Sequence, residues 1–306
     1  MIYGSLLRLF FNNFIKILPT IYLEEMFYQI GRMLGVRSFT CERDLGLFEG
    51  SINDNAVHRY YLRHGSWAPS LQYLISTLFA NGPGTFIDVG ANIGLTTIPV
   101  AQNNDKLSFY AFEPESNNYS YLRKNIIANG LESKIKTFNL ALFSEDCTLD
   151  MELSTDNMGD HRIRRQSVAN SQGNYYNEQS RPTVKIQARK LDSILNVHDL
   201  IKPIIMKVDT QGAEVRVFSG AKSFLEAVDY LIVEYWPYGL RRMGDTTESL
   251  FAIISQFHWG AVYDDAVLSM PKLAPIKQFL AHINAYLDKT GVGHLDILLA
   301  RHPMPH

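Results

Sequence analysis

An α/β fold, built on a doubly wound, mostly parallel sheet and preceded by a helical N-terminal extension, is predicted by three observations. From Thr85 onward, short apolar runs alternate with amphipathic stretches in the manner of βαβ units. The runs are apolar enough to be buried on both faces, as strands of a parallel sheet are. The first of them ends in a glycine-containing turn that leads into a helix. The 306 residues, 46% hydrophobic and 20% charged, give ample material for a core and exclude a disordered or low-complexity chain.

The elements follow in order. Apolar residues recur at helical spacing in 5–17, in 20–34 and in SLQYLISTLF from Ser70, so the chain reads as helical to about residue 80, with Pro19 separating the first two helices. TFIDVG (85–90) is the first strand, and a helix follows through Leu95 to Gln102. LSFYAFEP (107–114) is the second strand, followed by a helix through Asn129. IKTFNLALFS (135–144), PIIMKVDT (203–210) and DYLIVEYW (229–236) are the third, fourth and fifth, and GAVYDD (260–265) and HLDILLAR (294–301) close the sheet. Between the third and fourth strands lies a polar, irregular insertion at 154–182, the length at which a loop is a lid or disordered. The division is therefore an extension over 1–70 and a main domain over 71–306.

Charge and composition remove some classes of function. With 29 basic and 31 acidic side chains the net charge is −2, so no global field draws the chain to nucleic acid. Only Cys41 and Cys147 occur, too few for a disulfide framework, which predicts a reducing, cytoplasmic setting. The apolar opening is broken by Arg8, Asn12, Asn13, Lys16 and Pro19 and lacks a small-residue cleavage site. It is expected to belong to the mature protein and not to span a membrane.

The strongest local signal is Asp88-Val89-Gly90-Ala91-Asn92-Ile93-Gly94, a turn between an apolar strand and a helix. Glycines permit the tight turn and let a ligand approach the backbone, while the helix start offers free N–H groups. Glu113 ends the next strand 23 positions after Gly90, close to the roughly 20-residue spacing at which a carboxylate binds ribose hydroxyls. These features describe a nucleotide crevice. The glycines are spaced Gly90-x-x-x-Gly94 and not as G-x-G-x-x-G, and the acid Asp88 would repel a pyrophosphate. A cationic nucleoside fits better, and S-adenosylmethionine, with its sulfonium and amino group, is one. A dinucleotide-dependent oxidoreductase and a non-catalytic nucleotide-binding protein remain as alternatives.

The chain also resembles the FkbM-type methyltransferases, within the Rossmann-like S-adenosylmethionine-dependent enzymes, from about Phe86 to Glu234. The resemblance rests on FIDVGANIGLTT, FEPESNNYSYLRKN, ALFSED and KVDTQGAEVRVFSGA followed by LIVEYWP. It implies that Asp88, Gly90, Asn92 and Gly94 line the methionine part of the cofactor. Glu113 would hold the ribose, with the main chain at Asn139 to Ala141 near the adenine. It further implies O-methylation of a hydroxyl on a sugar, a glycan or a secondary metabolite. Many relatives carry Glu where this chain has Gln211.

Catalytic candidates come from two places. Lys207 is a lysine inside an apolar strand, which is expensive unless it is paired or functional; Glu214 and Glu234 are its candidate partners. Asp209 and Glu234 end adjacent strands, where two carboxylates can supply a general base or hold a divalent cation. In the insertion, Asn157-Met158-Gly159-Asp160-His161-Arg162 brings together an acid, an imidazole and a guanidinium. His161 is the candidate proton acceptor there, with Asp160 and Arg162 as substrate ligands. From His161 to Lys190 seven basic residues face Glu178 alone, which suits anionic or polyhydroxyl substrates. His58, His64, His258, His282, His294 and His302 lack acidic or cysteine neighbours at ligand spacing and read as core or surface residues, and the aromatics of EYWPYGL (234–240) read as core and rim. The apolar face of Leu6, Leu7, Phe10, Phe11, Phe14, Ile17 and Leu18 must be covered by the catalytic domain, by a second copy in a homodimer, or by peripheral contact of residues 1–18 with a membrane.

Overall fold

The computed structural model describes residues 20–80, 82–164, 180–263, 268–286 and 293–304. The helix expected over 5–17, the apolar face of residues 1–18 and the centre of the polar insertion lie outside the described residues. Among the described residues no helix is long and apolar enough to cross a membrane.

The N-terminal part is only partly helical. Helices span Thr20–Met33, Val57–His64 and Pro69–Phe79, but β1 (Ser38–Arg43) and β2 (Gly46–Ser51) form an antiparallel hairpin between the first two. The expectation of helix through to residue 80 fails there because SFTCER and GLFEGS carry buried residues at alternate positions, Cys41 on one strand and Phe48 and Gly50 on the other, a period of two. Glu24 ties the first helix to the second by ion pairs with Arg59 and Arg63. Packing does not stop at residue 70: Cys41, Phe48, Val57 and Tyr61 belong to the same apolar cluster as Phe86 and Phe109 of the main sheet.

That sheet has eight strands. In chain order they are β3 (Gly84–Val89), β4 (Leu107–Phe112), β5 (Ile135–Phe138), β10 (Ile204–Val208), β11 (Tyr230–Tyr235), β12 (Trp259–Tyr263), β13 (Ala274–Pro275) and β14 (Leu295–Ala300). Across the sheet they run β13-β12-β14-β11-β10-β3-β4-β5. The five from β5 to β11 are mutually parallel, and β14 is antiparallel to both of its neighbours. The chain winds outward from β3 to β5, then returns to place β10 on the other side of β3. The strand order therefore reverses between β3 and β10, the place where open α/β sheets leave a crevice at the carboxyl ends of their strands. Every residue of β3, β10 and β11 is buried, and Phe86 and Ile205 pack on one face while Ile87, Val89, Met206 and Val208 pack on the other.

Two expectations over the middle of the chain are corrected. The third strand, read as 135–144, breaks after Phe138, and its second half, β6 (Ala141–Leu142), leaves the main sheet. It joins β7 (Cys147–Glu152), β8 (Arg162–Ile163) and β9 (Thr183–Arg189) in a separate four-stranded sheet, ordered β6-β9-β7-β8. The insertion is thus in part regular structure. Val184, Ile186 and Ala188 alternate with exposed polar residues along β9, and this half-buried pattern is that of a strand with one wet face.

The hairpin is held on the main sheet by two asparagines one helical turn apart on the helix Ser116–Ala128 and just beyond it. Asn125 accepts from the Glu49 N–H at 2.7 Å and donates to the Glu49 and Ile93 carbonyls at 3.1 and 2.9 Å. Asn129 accepts from the Leu47 N–H at 3.1 Å and donates to its carbonyl at 2.8 Å. The side chains supply the ladder that the edge of β2 lacks, and Asn125 also fixes the glycine turn after β3 through Ile93. Asn125→Ala strips partners from buried backbone groups and is expected to lower the unfolding free energy by about 1–3 kcal/mol in urea titration. An unchanged midpoint and slope would show that the hairpin is held by its apolar contacts alone.

Candidate active site

A cavity of about 980 Å3 opens at the carboxyl ends of β3, β4, β10 and β11 and is roofed by residues of the insertion. Of the residues singled out from sequence, Gly90, Asn92, Glu113, Ala141, Asp160, His161, Arg162, Lys207, Asp209 and Glu234 line it; Asp88, Gly94 and Asn139 do not.

The edge formed by β3 and β4 is a backbone cradle. Gly90 has φ +85°, and a Cβ there would sit 2.0 Å from the Asp209 carbonyl oxygen, so only glycine lets the turn pass this close to β10. Gly94, at φ +94°, is a packing glycine instead, since a Cβ would meet Ile98 and Leu122 at 2.8 and 2.9 Å. Glu113 is 5% exposed and accepts from the Asn92 N–H at 2.9 Å and the Glu115 N–H at 2.8 Å. Burial pushes its carboxyl up to about 8 against those hydrogen bonds, with the charges of Glu115 and Asp88 adding to the rise. Asn139 donates to the carbonyls of Glu113 and Pro114 at 2.9 and 3.1 Å. Its side chain thereby fixes the end of β4, while the main chain that follows, at Leu140 and Ala141, lines the cavity.

At the reversal of strand order a buried ammonium joins two strands. Lys207 Nζ lies 3.4 Å from Asp88 Oδ1 and 3.5 Å from Asp209 Oδ2. The partners expected for Lys207, Glu214 and Glu234, are replaced by these two, because Lys207 stands in register beside Asp88 on adjacent parallel strands. Burial alone would lower the pKa of the ammonium, but the charges of Asp88, Asp209 and Asp296 overcome it and hold it above its ordinary value. Asp88 is wholly buried, and Thr97 donates to its Oδ2 at 2.6 Å. Its charge therefore serves Lys207 first, and the electrostatic reason for expecting it against a cationic cofactor is replaced by a structural one. Glu214 accepts from the Thr210 and Gly212 N–H groups, both at 3.1 Å, and shapes the loop after β10.

Asp209 faces the cavity with 40% of its side chain exposed. Gln211 donates from Nε2 to Asp209 Oδ1 at 3.0 Å and lies 3.3 Å from both Glu234 oxygens. Burial and the charges of Asp209, Glu214 and Asp296 raise Glu234 well above the ordinary carboxylate range. The two strand-end carboxylates thus do meet, across an amide donor. Among the described residues no group of three or more His, Cys, Asp or Glu side chains is placed to hold a metal ion.

The insertion contributes the opposite wall. Arg162 donates from Nε to Asp160 Oδ1 at 2.7 Å and Arg181 donates to Oδ2 at 2.6 Å, while Arg162 also stacks over Trp236 at 4.7 Å. Among the described residues, three of the basic side chains counted along the insertion pair with acids of β7 and its turn: Arg189 with Asp146, Lys185 with Asp150, and Arg164 with Glu152. His161 accepts at Nδ1 from the Ser154 N–H at 3.1 Å, and burial lowers its pKa. With Nδ1 engaged in this way, Nε2 is the ring nitrogen left for a partner in the cavity that His161 lines. Trp67, Trp236, Tyr263, Asp156, His294 and Asp296 also line the cavity and were not picked out from sequence. Asp296 reaches it because antiparallel β14 sets it directly opposite Glu234.

Comparison with known proteins agrees with this architecture. Residues 88–270 match the model of the methyltransferase FkbM domain, which is more than half of the chain. The chain belongs to the FkbM methyltransferase family. Membership decides between the methyltransferase and oxidoreductase readings in favour of the former. Methyltransferase sdnD of Sordaria araneosa is 26% identical over 179 residues, covering 51% of this chain and 68% of that protein. Methyltransferase 1 of Beauveria bassiana (strain ARSEF 2860) is 23% identical over 159 residues, covering 48% and 63%. The crystal structure of methyltransferase FkbM from Methylobacillus flagellatus KT overlays with a TM-score of 0.41 at 14% identity, covering 73% of this chain and 47% of that one. The chain thus spans less than two thirds of the second relative and less than half of the solved structure.

Glu113 generates a pH prediction. A carboxyl raised in the folded state contributes stability that is complete below the ordinary glutamate range and is lost as the pH rises through about 8. Without ligand, the thermal midpoint is expected to fall between about pH 5 and about pH 8.5, and Glu113→Gln is expected to flatten part of that fall. Parallel curves for the two proteins would place the burden on other groups.

Proposed function

We propose that this FkbM methyltransferase transfers the methyl group of S-adenosylmethionine to a hydroxyl oxygen of a sugar or another polyhydroxylated acceptor, with Asp209 receiving the hydroxyl proton. The observation that carries this reading is a half-exposed carboxylate, Asp209, on the same cavity wall as the Gly90 cradle and the Glu113 carboxyl. The cofactor's chemistry fits the residues present: the Gly90 turn and the Glu113 carboxyl line one edge, and the turn's N–H groups at Gly90, Ala91, Asn92 and Gly94 are already bonded within the protein, so they are not free to hold a pyrophosphate. When bound, it supplies an electrophilic methyl group.

The chain's own residues then have distinct tasks. Glu113 accepts hydrogen bonds from the ribose hydroxyls, and the main chain at Leu140 to Leu142 borders the base. Gly90 keeps the turn low enough for the cofactor to lie against β3. Asp209 takes the proton as the acceptor oxygen gains its new bond, while the Lys207 ammonium, 3.5 Å from its Oδ2, holds that carboxylate in place. The high-lying Glu234 carboxyl stands beside it as a hydrogen-bond donor. Trp236, Tyr263 and Trp67 offer flat apolar faces among polar groups, a lining suited to the C–H face and the hydroxyls of a sugar. Alignment and exclusion of water supply much of the rate in such a displacement.

The test is transfer of labelled methyl from S-adenosylmethionine to a panel of glycosides, with the product linkage read by NMR. An O-methyl ether is expected; an N-, C- or S-methyl product would overturn the oxygen assignment. Asp209→Asn is expected to lower kcat by about 100-fold or more while cofactor affinity stays within about twofold. Full turnover in that variant would remove Asp209 from the mechanism.

A further inference from the structure

Gln211 stands out among the residues of this site that the proposed chemistry does not use. It lies in the loop after β10 with φ +55°, a left-handed conformation that a non-glycine side chain adopts at a cost. It lines the cavity, and its Nε2 is within 3.0–3.3 Å of three carboxylate oxygens on two strands. A side-chain amide has two N–H donors. That nitrogen donates to Asp209 Oδ1 and reaches both oxygens of Glu234.

We propose that Gln211 is a positioning residue for methyl transfer: its amide fixes the Asp209 carboxylate toward the cavity and joins it to the Glu234 carboxyl beside it. This rests on Asp209 being the proton acceptor. The surroundings leave few other ways to hold that geometry. Asp209 has Lys207 on its own strand, 3.5 Å from Oδ2, and Gln211 on Oδ1. Asp88 on β3 shares the same ammonium. Glu234 on β11 faces Asp296 on β14 and Glu214 from the following helix, and all three are acidic. His294 and Tyr263 border the cavity beyond them. Lys207 is thus the cation shared by this acidic group, and the Gln211 amide supplies the remaining donors between Asp209 and Glu234. A carboxylate at position 211 would invert this, placing a further acid where the donor now stands.

The experiment is a 13C NMR titration of the side-chain carboxyls in the full chain, with Asp209 and Glu234 identified from the spectra of Asp209→Asn and Glu234→Gln. Gln211→Gly removes both donors and suits the left-handed backbone, so it keeps the loop. Gln211→Glu keeps the size of the side chain and replaces the donor with a carboxyl. The Asp209 midpoint is expected to rise by about one pH unit in Gln211→Gly and further in Gln211→Glu, because hydrogen bonds to the charged form are lost and then a like charge is added. Affinity for S-adenosylhomocysteine, by calorimetry, is expected to stay within about twofold. Midpoints for Asp209 and Glu234 within about 0.3 pH unit of the parent in both variants would overturn the proposal. The titration needs no acceptor, so it fails or holds independently of the Asp209→Asn turnover measurement that tests the reaction itself.

Discussion

The site depends on one buried cation. Lys207 stands in the interior of the sheet, where an unpaired ammonium is not tolerated, and its two counter-ions lie at the ends of the two strands between which the strand order reverses. The pairing explains why an acid, Asp88, is wholly buried ahead of the glycine turn, and why Asp209 faces the cavity with one oxygen already assigned. Because Asp88 is fixed, Thr97 at the start of the next helix is fixed through its hydroxyl, and the turn between them can run close enough to β10 to require glycine at position 90. The glycine turn at the cavity edge and the carboxylate that faces the cavity are thus two consequences of the same contact.

From that contact the cavity divides in two. The edge toward β4 and β6 is made of main chain, one high-lying carboxyl and small residues, and it can be complementary to a nucleoside. The edge toward β11 and β14 gathers carboxylates, an amide, a histidine and aromatic rings. The small sheet formed by β6 to β9 closes the space from above, its basic residues held by acids of its own strands and by Asp160. Among the described residues the insertion is thus a wall in which Arg162, Arg164, Arg181, Lys185 and Arg189 are each paired with an acid.

Much of this was legible in the sequence, for identifiable reasons. The strands of the main sheet are buried on both faces, so unbroken apolar runs such as TFIDVG and DYLIVEYW announce them, and Glu113 is visible because an acid at the end of such a run has few structural excuses. Spacing alone could not separate ligand contacts from packing contacts within one motif: Gly90 and Gly94 look alike, yet one faces the cavity and the other faces Ile98 and Leu122. The hairpin at 38–51 and strand β9 were hidden because their alternation is short and mixed with polar residues. Asp296 and His294 were hidden for a topological reason. They join the site only because β14, from the far end of the chain, inserts antiparallel beside β11.

The central claim is that Lys207 and Asp88 form an energetically coupled buried pair on which the crevice is built. A double-mutant cycle in urea unfolding, with Asp88→Asn, Lys207→Met and the two combined, measures it directly. The account predicts a loss of about 3–5 kcal/mol in Lys207→Met, where buried Asp88 is left without its cation. It also predicts that the double variant is more stable than the sum of the single losses allows, by about 1–3 kcal/mol. Additive losses, or a Lys207→Met protein as stable as the parent, would contradict it.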